Sequence, residues 1–180
     1  MMLALAVGRA QPSDSKFAAG FRGEFLLTFA DAENKVLDLA KAVPAEKYSW
    51  RPTAGVRSTG EVYMHIANGN RLLLMFMKGT PQRDEFEKAI VTNEGREKKI
   101  TEKAEIIKEL ENSFKLVRQA LDQAAAADLS RPVKFSGTDT TVRGIFHVIS
   151  NHVSEHLGQS IAYARMMGVV PPWSARQGSQ

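Results

Sequence analysis

The chain has 180 residues, 43% of them hydrophobic, which suffices for one domain with a sizeable core and is too short for two comfortable ones. Lysine and arginine number 24 against 20 aspartates and glutamates, and the resulting charge of +4 is scattered among acids rather than gathered in a block, which argues against a nucleic-acid surface. Cysteine is absent, which excludes disulfides, thiolate nucleophiles and thiolate-bound zinc, so a metal would have to be held by histidine, aspartate or glutamate.

In chain order, the apolar run from Met1 to Pro12 resembles the end of a signal peptide but lacks the positively charged segment that should precede it. Export to the periplasm and a cytoplasmic location therefore both stay open, and residues 1–15 read as a flexible N-terminus or a signal remnant. Elsewhere no stretch reaches the length of a membrane span. A first helix is expected from Lys16 to Ala42, with Phe21, Phe25, Thr28, Ala32, Val36 and Leu39 at steps of three and four, ending before Pro44. A second opens at Ser58, where Ser58 and Glu61 form a capping box, and carries Val62, His65, Gly69, Leu72 and Phe76 to a stop at Gly79 and Pro81. The third begins near Thr101, alternates Ile107, Leu110, Phe114, Val117 and Leu121 with charged residues, and ends around Ala127. The fourth follows Asp139-Thr140-Thr141 and ends at Gly168, with Pro171 and Pro172 beyond.

The connections are long, and the one from Gly79 to Ile100 has room for a short helix over Asp84 to Ile90. Four amphipathic helices with little strand signal predict an all-α four-helix bundle over residues 16–172, followed by a tail at 173–180.

On the fourth helix His152 and His156 are separated by about 40° of rotation and a rise of about 6 Å, so both imidazoles leave one face and can reach one ion. The same spacing suits surface histidines, or core imidazoles bonded to neighbours. Gln159 and Tyr163 fall within roughly 20° of His152, a polar and aromatic row unusual for a core-facing line. His65 occupies a core slot on the second helix and offers a third imidazole. Asn151 and Glu155, about 100° and 60° from His152, are candidates to orient an imidazole, although solvated positions also account for them. Glu61, one turn before His65, is a further candidate that its capping role already explains. His147, about 140° from His152, is assigned a structural role. Trp50 is expected to cover a bundle end, Arg57 to be solvated, and Met75, Met77, Met166 and Met167 to serve as apolar fill. A second apolar line, Phe146, Val153, Leu157, Ile161 and Ala164, suits a neighbouring helix or a subunit contact.

The segment Tyr48-Ser-Trp50-Arg51-Pro52, then Val56-Arg57-Ser58 leading to His65, and Asn151-His152, His156-Leu-Gly158-Gln159, Tyr163-Ala-Arg165-Met-Met-Gly168 and Pro171-Pro172 resemble the DinB-like (YfiT-like) superfamily of metalloenzymes. The resemblance spans about Phe17 to Pro172. It implies an up-down-down-up four-helix bundle, often dimeric, in which His65, His152 and His156 hold a divalent metal such as zinc or nickel. Relatives include thiol S-transferases that use bacillithiol or mycothiol and a mycothiol-dependent isomerase, and others are regarded as hydrolases. Leu157 stands where many members carry an arginine, so a role for that arginine does not transfer to this chain.

The resulting expectation is a metal-dependent enzyme acting on a small molecule, with thiol transfer first, hydrolysis second and a low-molecular-weight thiol as cosubstrate. Its rival is a non-enzymatic metal-binding or stress-response protein with a structural site. A homodimer is expected, with neither nucleic acid nor a membrane as partner.

Overall fold

The computed structural model describes residues 20–177, so the apolar run at 1–12 and the expected helical start at Lys16 lie outside the described residues. The chain is mostly helical: α1 (Phe21–Ala42), α2 (Thr59–Leu74), α3 (Arg83–Lys99), α4 (Lys103–Gln123), α5 (Ala126–Leu129), the strands β1 (Pro132–Phe135) and β2 (Thr138–Thr141), α6 (Val142–Met166) and α7 (Pro172–Gln177). No helix among these residues is long and apolar enough to cross a membrane.

The apolar steps in the sequence become the buried faces. On α1, Phe25, Phe29, Ala32, Val36 and Leu39 are buried, while Thr28, expected on that stripe, is exposed; the aromatic Phe29 takes the core slot, where its burial contributes about 1.5–3 kcal/mol. On α4 the same one-residue phase shift puts Ile106 rather than Ile107 fully inside, followed by Leu110, Phe114, Val117 and Leu121. Phe29 meets Phe114 edge-on at 5.8 Å, and Phe25 meets Phe146 of α6 at 5.3 Å. α1 packs along α6, setting Phe25 against Phe146 of the second apolar line, and Leu157 on that line is buried.

α2 lies at the centre, packing on α3, α4 and α6. Its start is fixed by the capping box: Ser58 N donates to Glu61 Oε2 at 2.6 Å and Glu61 N donates to Ser58 Oγ at 3.3 Å, which satisfies two otherwise orphaned donors. Burial extends around most of its circumference through Tyr63, Met64, Ile66 and Ala67.

Two elements depart from expectation. The connection after Gly79 carries a helix of 17 residues, α3, in place of a short one over 84–90. Its sequence is largely charged, and Asn68 and Asn93 hold it to α2 by reciprocal side-chain to carbonyl bonds of 3.1 and 3.4 Å, so polar docking supplies what apolar periodicity does not. The segment before α6 forms a hairpin, with Phe135 paired to Thr138 across Ser136 (φ 49°) and Gly137 (φ 81°). Two positive φ angles define the turn that matches strand twist, and Phe135 closes the hairpin onto Phe76 at 5.5 Å. Among the methionines, Met77 and Met167 pack on the core, whereas Met166 is exposed.

Candidate metal centre

α2 and α6 bring His65, His152 and His156 together: one ring nitrogen from each lies within 4.8 Å of the others. Ring centroids are 5.0 Å apart for His65 and His152, and 4.6 Å for His156 with each of the other two. His65 Nε2 and His152 Nε2 approach to 3.2 Å. Two imidazole lone pairs at that range repel unless a proton or a cation lies between them. Two nitrogens sharing one tetrahedral ion, each about 2.05 Å from it, are separated by about 3.3 Å, so the observed spacing fits a common ion.

The approach of α6 to α2 is permitted by Gly69, one turn after His65. A Cβ there would lie 2.2 Å from His152 Cε1, so the absence of a side chain is what gives the imidazole its seat.

Hydrogen bonds fix the orientation of two rings. The Glu97 carboxylate accepts from His65 Nδ1 at 2.8 Å through Oε1 and from Arg57 Nε at 2.8 Å through Oε2. Burial alone raises the Glu97 carboxyl, but the bonds from His65 and Arg57 and their charges outweigh it and hold it below the usual carboxylate range. An ionised acceptor places the proton of His65 on Nδ1 and leaves Nε2 with a lone pair. His156 Nδ1 likewise donates to Gln159 Oε1 at 2.8 Å, and Gln159 Nε2 donates to the Tyr163 hydroxyl at 3.1 Å. Tyr163 is buried with its ring edge-on to Trp50 at 5.4 Å. His152 Nδ1 is buried with no hydrogen-bond partner among the described residues, and His152 meets His65 through Nε2.

Burial pushes His152 down to about 3, reinforced by the charges of His156, His65 and Arg57 and opposed by Glu97. Burial also lowers His156, against the hydrogen bond to Gln159. Both rings are therefore neutral near pH 7, the state in which imidazole binds metal. His65 keeps a quarter of its side chain exposed, which leaves the cluster open on one side.

Of the residues singled out in the sequence, Gln159 and Tyr163 stand behind His156. Asn151 and Glu155 are exposed, and neither bonds an imidazole among the described residues: their angular offsets from His152 carry them off the face that meets α2, and Glu155 reaches His156 only through its charge. Glu61 caps α2 and pairs with Arg51 at 3.2 Å rather than with a histidine. His147 is exposed and packs edge-on against Phe21 at 5.2 Å. Arg57, expected to be solvated, is tied to Glu97. Glu97 is the residue that sequence reasoning missed, because a glutamate in the run Glu94–Lys99 carries no mark separating it from a solvated helix face.

A helical fold enclosing three convergent imidazoles defines the class of candidate metalloprotein. The family model described as DinB superfamily matches residues 28–160, and the chain belongs to that superfamily. Among solved structures, a DinB-like protein from Bacillus cereus superposes with a TM-score of 0.66 at 18% identity, covering 82% of this chain and 93% of its own. A DinB-like protein (YjoA) from Bacillus subtilis gives a TM-score of 0.62 at 21% identity with the same coverage, 82% and 93%. At these identities the likeness concerns the fold. No curated protein matches the chain.

Proposed function

We propose that this chain is a divalent-metal-dependent enzyme acting on a small molecule, by thiol S-transfer first and hydrolysis second. The observation that carries the reading is the convergence of three imidazole nitrogens, from α2 and α6, within 4.8 Å. In this reading His65, His152 and His156 hold Zn²⁺, Ni²⁺ or a similar ion, which imidazole alone does not discriminate. When bound, such an ion lowers the pKa of a coordinated thiol or water and supplies a nucleophile near neutral pH, and three neutral ligands leave it a position for that group. The rest falls to the chain. Glu97 holds the proton of His65 at Nδ1, Gln159 holds that of His156 at Nδ1, and Tyr163 and Trp50 brace Gln159 from behind. The family likeness supports three further parts of the proposal: an up-down-down-up order of the principal helices, a functional unit over 16–172 with flanks at 1–15 and 173–180, and a homodimer.

Elemental analysis of purified protein and of the His152→Ala variant tests the reading. The expected result is about one ion per chain in the parent and loss of both ion and activity in the variant, the activity being found by screening thiols against electrophiles with defined metals. Absence of metal from the parent overturns the proposal. Metal in the parent together with a variant that loses only thermal stability favours a structural, non-enzymatic site.

A further inference from the structure

Beside Glu97 and Gln159, which hold His65 and His156, lies a cleft of about 720 Å³ whose charged wall sets Arg51, Arg57 and Lys98 against Glu61, Glu94 and Glu97. By formal charge the two sets balance. Their hydrogen bonds do not. Glu61 is engaged by Ser58 N and by Arg51, and Arg51 Nη1 donates to the Val56 carbonyl at 2.7 Å. Both Glu97 oxygens are engaged, one by His65 and one by Arg57. Arg57 reaches Glu97 through Nε alone, which leaves its two Nη nitrogens without a partner among the described residues. Lys98 likewise has no hydrogen bond or ion pair among them. Glu94 is the opposing acid, so the uncommitted groups of the wall are a guanidinium fork and an ammonium against one carboxylate.

We infer that this cleft receives the carboxylate of an acidic small molecule, with Arg57 and Lys98 as the anion receptor and the remainder of the ligand directed toward the side of the histidine cluster that Glu97 and Gln159 hold. A planar guanidinium with both Nη groups available matches a carboxylate in a two-point contact, which an ammonium then supplements as a point charge. The receptor also lies close to the proposed chemistry. Glu97 is the one side chain between Arg57 and His65, with 2.8 Å contacts on either side, and Gln159, which holds His156, forms part of the same wall. The cleft therefore adjoins the two residues that hold His65 and His156. Three neutral ligands would leave the charge of a divalent ion uncompensated, which adds to the attraction for an anion.

The inference deepens the metal-enzyme reading and rests on it for the reacting end of the ligand. The test loads the full chain with Co²⁺ and titrates it with β-mercaptopropionate and with β-mercaptopropionamide, which match in size and differ in charge, following the thiolate-to-cobalt absorption band. The expected result is a preference for the acid of about tenfold, which Lys98→Ala and Arg57→Gln each reduce several-fold. Lys98→Ala carries the comparison if Arg57→Gln disturbs Glu97 enough to weaken cobalt binding, and its loss of affinity is expected to be larger for the acid than for the amide. Cobalt binding with equal affinity for acid and amide overturns the carboxylate receptor and leaves the metal reading standing. Failure to bind cobalt overturns the metal reading and the inference with it.

Discussion

The imidazole of His152 rests on the backbone of Gly69: a methyl group at position 69 would lie 2.2 Å from Cε1 and 2.9 Å from each ring nitrogen. This contact joins the two helices that carry the histidines, and it makes a residue with no chemistry of its own a condition for the cluster. Glycine inside a helix costs about 1 kcal/mol relative to alanine, so its presence in the middle of α2 opposes local propensity in favour of the site.

Gly69→Ala is accordingly expected to separate folding from metal binding. The chain keeps its helical circular dichroism, because alanine favours the helix, while His152 is driven off its seat. Metal affinity, measured by competition with a chromogenic chelator, is expected to fall by about 10–100-fold, the range seen when a ligand loses its support. An unchanged affinity would show that the ring does not depend on that seat.

Glu97→Gln tests the orientation of His65. The amide oxygen can still accept from Nδ1, but its NH₂ group then faces the Arg57 Nε–H, donor against donor, and the negative charge is lost. A fall in metal affinity of roughly 10–100-fold is expected, with secondary structure retained. Glu97→Asp, which keeps the charge on a shorter side chain, should recover part of it.

The depressed pKa of His152 makes stability depend on pH in the metal-free chain. Its folded value of about 3 lies below the ordinary 6.5, so between those limits the unfolded chain binds the proton and the folded chain does not. The stabilising contribution is complete above pH 6.5 and drains away as pH falls toward 3. Lowering the pH from 6.5 to 5 should cost on the order of 1–2 kcal/mol, read by urea denaturation after chelation, and His152→Ala should flatten that slope. Glu97, held below its ordinary value, adds its own loss only at more acid pH, as its carboxylate becomes protonated.

Two histidine replacements should behave oppositely. His156→Ala removes a nitrogen from the cluster and is expected to abolish stoichiometric metal binding in elemental analysis. His147→Ala touches an exposed ring lying against Phe21, and is expected to leave metal content unchanged with a stability change within about 0.5 kcal/mol.

The sequence carried a strong signal wherever an element buries one apolar stripe. The second helix was legible from its capping box and the fourth from its row of His152, His156, Gln159 and Tyr163, because a period of 3.6 residues projects such positions onto one line. Thr28 and Ile107 were assigned to stripes that Phe29 and Ile106 occupy, an error of one residue that arises because i+3 and i+4 lie on either side of the true period. The hairpin at 132–141 was missed because four-residue strands leave too few alternations to register, although Ser136-Gly137 is a turn signal.

What the sequence determined by itself was local: which faces turn inward, where α2 begins, and that two imidazoles share a turn of α6. Tertiary structure alone decided that His65 meets them, that Gly69 opens the space for His152, and that Glu97 and Arg57 stand behind His65. Those relationships join α2 to α6, α3 to α2, and α3 to the loop before α2, and no periodicity within one helix encodes the distance to another. Charge made the last of them hardest to see: a glutamate chosen for solvent and one buried between an imidazole and a guanidinium are the same letter, and only the neighbours brought by folding tell them apart.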